Sequence, residues 1–319
     1  MRRWRSTRRA AALALLLWSC GAPAQTAAPA LPAALAPEEM RRQIASGVRH
    51  GVLYEARRGE QRIVLFGTAH LGRPDVFPLD AKAFAELQAC KAVVVELDLR
   101  QSESLGAAML EHARLPDGKT LETISTPEQW QRIRSALQAR GALNDMVLRS
   151  EPWIASSTLV ILEASQRGDT MQTGADLVTI ALAQAFGKPV LELESAESQA
   201  DVLGASALDV QVDSLMYTIS QLESGDGANE ILGIVGAWVA ADADKLARYR
   251  RDMQDEARPG AKEMYAALLL DREAEMAERI ESFRQQYGAL FIAIGALHLV
   301  GEDSLLARLK QAGYEINRL

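Results

Sequence analysis

The sequence predicts an α/β fold: a small central β-sheet flanked by helices, with a large helical insertion. Three observations predict it. Apolar runs of strand length stand at residues 62–66, 92–96, 189–193 and 289–294. Helical periodicity dominates almost everything between them. A motif of apolar run, Gly, two residues, His and Leu occurs twice, as RIVLFGTAHLG at 62–72 and as ALFIAIGALHLVG at 289–301. Strands that share such a motif are expected to be neighbours.

Residues 1–24 have the pattern of a signal peptide. Arg2, Arg3, Arg5, Arg8 and Arg9 precede the apolar run AAALALLLW, which is too short to span a bilayer, and Ala22-Pro23-Ala24 fits a peptidase site before Gln25. The alternative exit is a lipid anchor at Cys20, because Leu17-Trp18-Ser19-Cys20 resembles a lipobox. Residues 25–47 form an Ala- and Pro-rich tether, and residues 48–319 form the folded domain. The product is therefore expected to be exported, periplasmic or secreted, or else held at the membrane as a lipoprotein. Loss of the five leader arginines takes the formal net charge from −7 to −12. So acidic a chain is poorly suited to neutralising phosphates, which excludes nucleic acid as a partner. No transmembrane helix is expected after the leader, since ILGIVGAWVA has only the length of a buried helix. Cys90 is the one cysteine beyond residue 20, so no internal disulfide can form, and it is expected to be a buried small hydrophobe.

The elements follow in order. GVLYEARRGEQRIVLFG predicts a β-hairpin with Arg58-Gly59-Glu60 at its turn, and KAFAELQAC a helix leading into the strand AVVVEL. From about 103 to 186 come SLGAAMLEHARL, then TPEQWQRIRSALQA started by Thr126-Pro127-Glu128, then EPWIASSTLVILEASQRG, all helical. GADLVTIALAQAFGKPVLEL predicts a helix, a Gly-Lys turn and a strand. Two helical blocks follow at about 207–223 and 229–287, the second broken near Arg258-Pro259-Gly260. The chain closes with the strand ALFIAIG, the helix EDSLLARLKQAG and a short edge strand in YEINRL.

Open α/β sheets gather ligands at the carboxyl ends of their strands. A Gly just past each strand is expected to let the backbone turn, so His70 and His298 point into one pocket. Glu96 ends Val93-Val94-Val95, where burial of both faces would strand a carboxylate unless it meets a cation, a histidine or a reactive water. Its plainer alternative is a pairing with a nearby Arg. Asp98, two residues on, is a lesser candidate. Two histidines with a carboxylate suit Zn, Mn or Fe with positions open for water, and such an ion lowers the pKa of that water. A metal-free version is also coherent, with one histidine as general base activating water and the carboxylate orienting it. His50 and His112 are expected to be solvated. HExxH, CxxC, G-x-S-x-G and P-loop patterns are absent.

On these residues the chain resembles the TraB/GumN family, bacterial relatives of the TIKI metalloproteases, from about Val52 to Leu319. The matching pieces are LFGTAHLG with Gly67 and His70, VVVELD with Glu96, and TGADLVTIALAQAFGKPVLELESAESQ with Gly174, Asp176, Glu194 and Gln199. LLLDREAEMAERI with Arg272 and FIAIGALHLVGEDSLLARLKQAGYEI with Gly295 and His298 complete them. The resemblance implies an erythromycin-esterase/ChaN-like fold and a catalytic or metal-binding core of His70, Glu96 and His298. It also implies Arg272 as a polar partner for a transition-state oxyanion, with Asp176 and Glu194 outside that core. Mn or Co is the ion the resemblance implies, and Zn the general chemical alternative. Glu273 departs from the pattern, which has Asn after the Arg, and an acidic residue there would strengthen a cation site. The expected function is a metal-dependent hydrolase, a peptidase of the cell envelope acting on a peptide or protein. The alternatives are a metal- or haem-binding envelope protein and a metal-free esterase. Haem is disfavoured, because neither GTAH nor GALH offers an apolar slot with an exposed axial residue.

Overall fold

A computed structural model describes residues 50–72, 81–257 and 260–319. The predicted signal peptide, Cys20 and the whole of the tether lie outside these residues. The hairpin forms as predicted. Strands β1 (Val52–Arg58) and β2 (Gln61–Thr68) pair antiparallel around Gly59, whose φ of 61° suits a residue without Cβ. Helix α1 (Ala81–Ala89) buries Ala83 and Leu87 and leads into β3 (Ala92–Val95). The helical insertion then begins with α2 (Ser102–His112), α3 (Pro127–Ala139), the short α4 (Asp145–Leu148) and α5 (Pro152–Gln166). Thr126 caps α3 through a reciprocal pair of bonds with Gln129.

Helix α6 (Ala175–Ala185) returns the chain to the sheet as β4 (Val190–Glu192), and α7 (Ala196–Gly204) and α8 (Leu208–Ser224) follow. Next come α9 (Asp226–Val239), α10 (Ala243–Gln254), α11 (Ala261–Tyr265), a π-helical segment over Ala266–Asp271, and α12 (Arg272–Tyr287). The break predicted near 258–260 is therefore joined by a second at residues 240–242, where Ala241 takes a φ of 50°. Strand β5 (Leu290–Gly295), helix α13 (Leu305–Gln311) and β6 (Glu315–Arg318) end the chain.

The strand order is β4-β3-β5-β2-β1-β6. The first four run parallel, and β1 and β6 form an antiparallel margin. Strands β3 and β5 are buried on both faces, which is why VVV and LFIAI are continuous apolar runs and not alternating ones. Phe66 and Phe291 meet at a ring distance of 6.0 Å inside this core, each burial contributing about 1.5–3 kcal/mol. The insertion has a separate core, in which Leu121, Ile133, Leu137, Leu159, Leu215 and Ile219 join α3, α5 and α8. The functional consequence of the sheet lies in its centre: β2 and β5, which carry the two motifs, are parallel neighbours.

Two sequence expectations, on the motif glycines and on His50, change, and the register adds a detail between them. The motif glycines do not follow their strands; Gly67 lies within β2 and Gly295 is the last residue of β5, and neither has a positive φ. Crowding selects them instead. A Cβ on Gly67 would lie 2.5 Å from Val52 Cγ2 and 2.9 Å from the Ala296 Cα. Thr68 and not Gly67 pairs with Gly295, so the two motifs are offset by one residue and are not a structural repeat. His50 is not solvated. It is buried, its Nδ1 lies 2.6 Å from the Val239 carbonyl oxygen, and its ring stacks on Trp238. His112, at the end of α2, keeps a side chain 40% exposed. Cys90 is buried and donates to the Leu87 carbonyl, and burial pushes its thiol up to about 11. The apolar ILGIVGAWVA forms part of α9, and no helix among the described residues is long and apolar enough to cross a membrane.

Candidate functional site

The parallel register brings the carboxyl ends of β2, β3 and β5 to one edge of the sheet, with Thr68 beside Gly295 and Val95 beside Ala293. His70 follows β2 by two residues, Glu96 follows β3 directly, and His298 sits in a single 3₁₀ turn, Ala296–Leu299, that continues β5. His70 Nδ1 lies 2.8 Å from Asp176 Oδ2, and the Thr68 hydroxyl donates to Asp176 Oδ1 at 2.6 Å. Asp176 can reach both because α6 starts against the β2 loop. The Ala175 amide donates to the Ala69 carbonyl at 2.9 Å, and a Cβ on Gly174 would stand only 2.2 Å from the His70 carbonyl oxygen.

His298 is held in a parallel manner from another side. Its Nδ1 lies 3.0 Å from Glu273 Oε1, and Glu273 is fully buried in the first turn of α12. Arg250 of α10 donates to both Glu273 oxygens, at 2.6 and 3.1 Å. Glu96 accepts from the Gly295 amide through Oε1 and from Arg272 Nη2, at 2.7 Å, through Oε2. Gly295 leaves room for this carboxylate: a Cβ there would lie 3.1 Å from Oε1 and 3.6 Å from His298 Cδ2. Arg272 also grips Glu194 through Nε and Nη2, and its Nη1 donates to the Leu268 carbonyl. That carbonyl lies in the π-helical segment, and the Arg272 amide bonds to Leu269, three residues back, and not to it. Gln199 donates to Glu194 Oε2 at 3.0 Å.

Burial would raise the Glu96 carboxyl, but Arg272 beside it, then His298 and His70, outweigh this and hold its pKa below the usual carboxylate value. Both histidines thus lie within electrostatic reach of Glu96. Asp176 behaves likewise: burial raises it, while His70 and the Thr68 hydroxyl bring it below its ordinary value. Burial opposes the charged form of Arg272, but Glu194 and Glu96 more than offset it, so its pKa lies above the ordinary value.

The site can be tested for its fit to a cation. Four shielded carboxylates, Glu96, Asp176, Glu194 and Glu273, face two guanidinium groups, Arg250 and Arg272. The excess of negative charge suits a divalent ion or protonated imidazoles. A carboxylate against Nδ1 of each histidine is also the arrangement that orients metal-ligating imidazoles toward Nε2. Among the described residues, however, no three His, Cys, Asp or Glu side chains stand ready as a ligating group. The imidazoles fit such an ion, while Glu96 would have to share an oxygen now bonded to Gly295 or Arg272.

The structure thus brings His70, Glu96, His298 and Arg272 together. Arg272 is a buried brace between two carboxylates, so any effect on an oxyanion would come from its field. Asp98 does not join them: β3 ends at Val95, the alternation stops there, and the Asp98 carboxylate pairs with Arg100. Glu273 is in contact with His298, closer to the site than its place after Arg272 suggests. Arg250 was not singled out by sequence reasoning, because in YRRDMQ it is one arginine among several on a charged helix.

The model of the TraB/PrgY/gumN family matches residues 52–318. The YbaP proteins of Escherichia coli (strain K12) and Shigella flexneri, both described as uncharacterized, are each 25% identical to the chain over 255 residues, covering 77% of it and 87% of their own length. No solved structure gives a significant match.

Proposed function

The chain belongs to the TraB/PrgY/gumN family, and on that premise we propose that it is a metal-dependent hydrolase of the cell envelope that activates water between His70 and His298. One observation carries the reading. Two histidines from opposite ends of the chain reach the ends of adjacent parallel strands, each with its Nδ1 against a shielded carboxylate.

Such a carboxylate fixes ring orientation and tautomer and raises the basicity of Nε2. His70 and His298 would hold the ion through Nε2, with Glu96 as the third donor, and Mn, Co and Zn are the ions to try. When bound, a divalent ion lowers the pKa of a coordinated water and polarises a carbonyl. Asp176 and Glu273 keep the imidazoles in place through the reaction. Glu96, ionised because Arg272 holds its pKa down, is oriented by the Gly295 amide, and the Arg272 field favours negative charge developing beside it. The resemblance to metalloproteases makes a peptide bond the first substrate to test.

A second reading is favoured by the commitment of both Glu96 oxygens: hydrolysis without metal, in which a carboxylate-backed histidine is the general base. Calorimetry with Mn, Co and Zn on wild type, His70→Ala and His298→Ala, each confirmed folded, separates the readings. Binding by wild type and its loss in both variants supports the metal site, and cleavage of a peptide library that stops with a chelator supports the activity. Unchanged binding in the variants removes the metal reading. Cleavage that persists in chelator and is lost in the variants favours the metal-free base.

A further inference from the structure

Among the described residues Arg250 is the largest side chain that the fold buries almost completely, at 1% exposure, and every nitrogen of its guanidinium is engaged. Nε donates to Asp303 Oδ1 and to the Tyr265 hydroxyl, each at 3.0 Å. Nη1 donates to Glu273 Oε1 at 2.6 Å and to the Leu297 carbonyl at 2.8 Å. Nη2 donates to Glu273 Oε2 at 3.1 Å and to the Asp303 carbonyl at 3.3 Å. Tyr265 donates in turn to Asp303 Oδ2 at 2.7 Å, tying α11 to the loop before α13.

Two of these contacts converge on one residue. The Leu297 carbonyl belongs to the peptide group immediately before His298, and Glu273 Oε1 is the atom that faces His298 Nδ1. Arg250 therefore fixes the backbone that carries the imidazole and the carboxylate that orients its ring. We propose that Arg250 is a positioning residue that, with Glu273, locks His298 as the Nδ1–H tautomer with Nε2 turned toward the site. This role deepens the proposed function and takes its purpose from that reading, but its geometry does not depend on a bound ion.

Both Glu273 oxygens already accept from Arg250, so the carboxylate meets His298 as an acceptor and Nδ1 is the donor. That leaves Nε2 as the ring's lone-pair nitrogen whenever the imidazole is neutral. A bidentate fork is needed, because a single ammonium cannot reach Glu273, Leu297 and Asp303 in these directions at once.

The test is nitrogen-15 NMR of histidine-labelled full chain in chelator, at a pH where the rings are neutral. The variants are Arg250→Lys, which keeps the charge and loses the fork, and the charge-balanced Arg250→Met/Glu273→Gln. His298 in the wild type is expected to carry its proton on Nδ1, and both variants to shift it to a mixture of tautomers. His70, oriented by Asp176, is expected to be unchanged and serves as internal control. If the double variant does not fold, Arg250→Lys decides alone. A bare Nδ1 in the wild type, or a wild-type pattern in the variants, overturns the inference. Calorimetry then separates the two readings: where the wild type binds an ion, the variants are expected to bind it about 10-fold to 100-fold more weakly. If the wild type binds none, the metal-dependent reading falls, while the tautomer measurement still decides this one.

Discussion

Replacing Arg272 by Met should produce a stability loss whose pH dependence runs opposite to that of the wild-type ion pair. In the folded protein Arg272 is 3% exposed and bridges Glu96 and Glu194, both nearly as shielded. Removing one member of a buried ionic cluster costs about 3–5 kcal/mol because it leaves charge without a partner. Here one cation serves two carboxylates, so the upper part of that range is expected at neutral pH. In the wild type the folded pKa of Glu96 lies below its ordinary value. Its contribution is therefore present at neutral pH and is lost only as pH falls through that depressed value. Without Arg272 the largest influence opposing burial is gone, only His298, His70 and the Gly295 amide remain against it, and the folded pKa is expected to rise above that of the unfolded chain. Each unit of that rise costs about 1.4 kcal/mol at neutral pH and is recovered as the group takes up a proton. Urea unfolding of wild type and variant at about pH 7.5 and about pH 5 measures both effects, since their difference isolates the site from other titrating groups. A gap that narrows on acidification supports the argument. A neutral-pH loss below about 1 kcal/mol, or a gap that widens on acidification, would refute it.

Three further outcomes are expected. Gly174→Ala sets a Cβ 2.2 Å from the His70 carbonyl oxygen and 2.7 Å from its carbon, both backbone atoms; urea midpoints should report a loss of about 1–3 kcal/mol, and no change would mean that this contact relaxes freely. Trp238→Phe removes the indole donor that meets the Gly67 carbonyl at 2.7 Å, which should cost about 0.5–1.5 kcal/mol, the net worth of one hydrogen bond, read as a lower denaturation midpoint. Cys90, buried with its thiol pushed up to about 11, should resist alkylation at mildly alkaline pH and react once urea is added, as peptide mass spectrometry would show; rapid labelling of the native protein would contradict its burial.

The sequence made the sheet legible because its central strands β3 and β5 are buried on both faces, and a short run such as VVV or FIAI beside turn residues suits a strand covered on both sides. The paired motifs identified β2 and β5 as neighbours, since one pocket needs both ends close. The reason for the motif glycines was not legible. Positive φ is the usual reason for Gly, whereas here Val52, Ala296 and the Glu96 carboxylate occupy the space a Cβ would take. His50 was misjudged because its partner, the Val239 carbonyl, comes from a helix 189 residues away. Arg250 escaped for the same reason. The residues that make it buried, Glu273, Leu297 and Asp303, are supplied by three later segments, and nothing in the local helical pattern separates it from Arg248 or Arg251.

The two histidines are supported by different means, and the difference bears on how such a site is built. Asp176 is fixed by the Thr68 hydroxyl and by the close start of α6 against the β2 loop, so its place depends on backbone contact. Glu273 comes from α12, whose approach to β5 leaves space for a guanidinium, and Arg250 fills that space. The one-residue offset of the motifs gives a geometric reason. Equivalent His positions would be reached from equivalent directions, but Thr68 and not Gly67 lies opposite Gly295, so His70 follows its paired residue by two and His298 by three, the latter within a 3₁₀ turn. A single turn holds itself weakly, and the Arg250 bond to the Leu297 carbonyl supplies what the turn lacks. Buried ionic groups of this kind are poor stabilisers compared with apolar side chains of the same volume. Their concentration where three parallel strands end is therefore accounted for by the chemistry proposed for the two imidazoles and not by the stability of the fold.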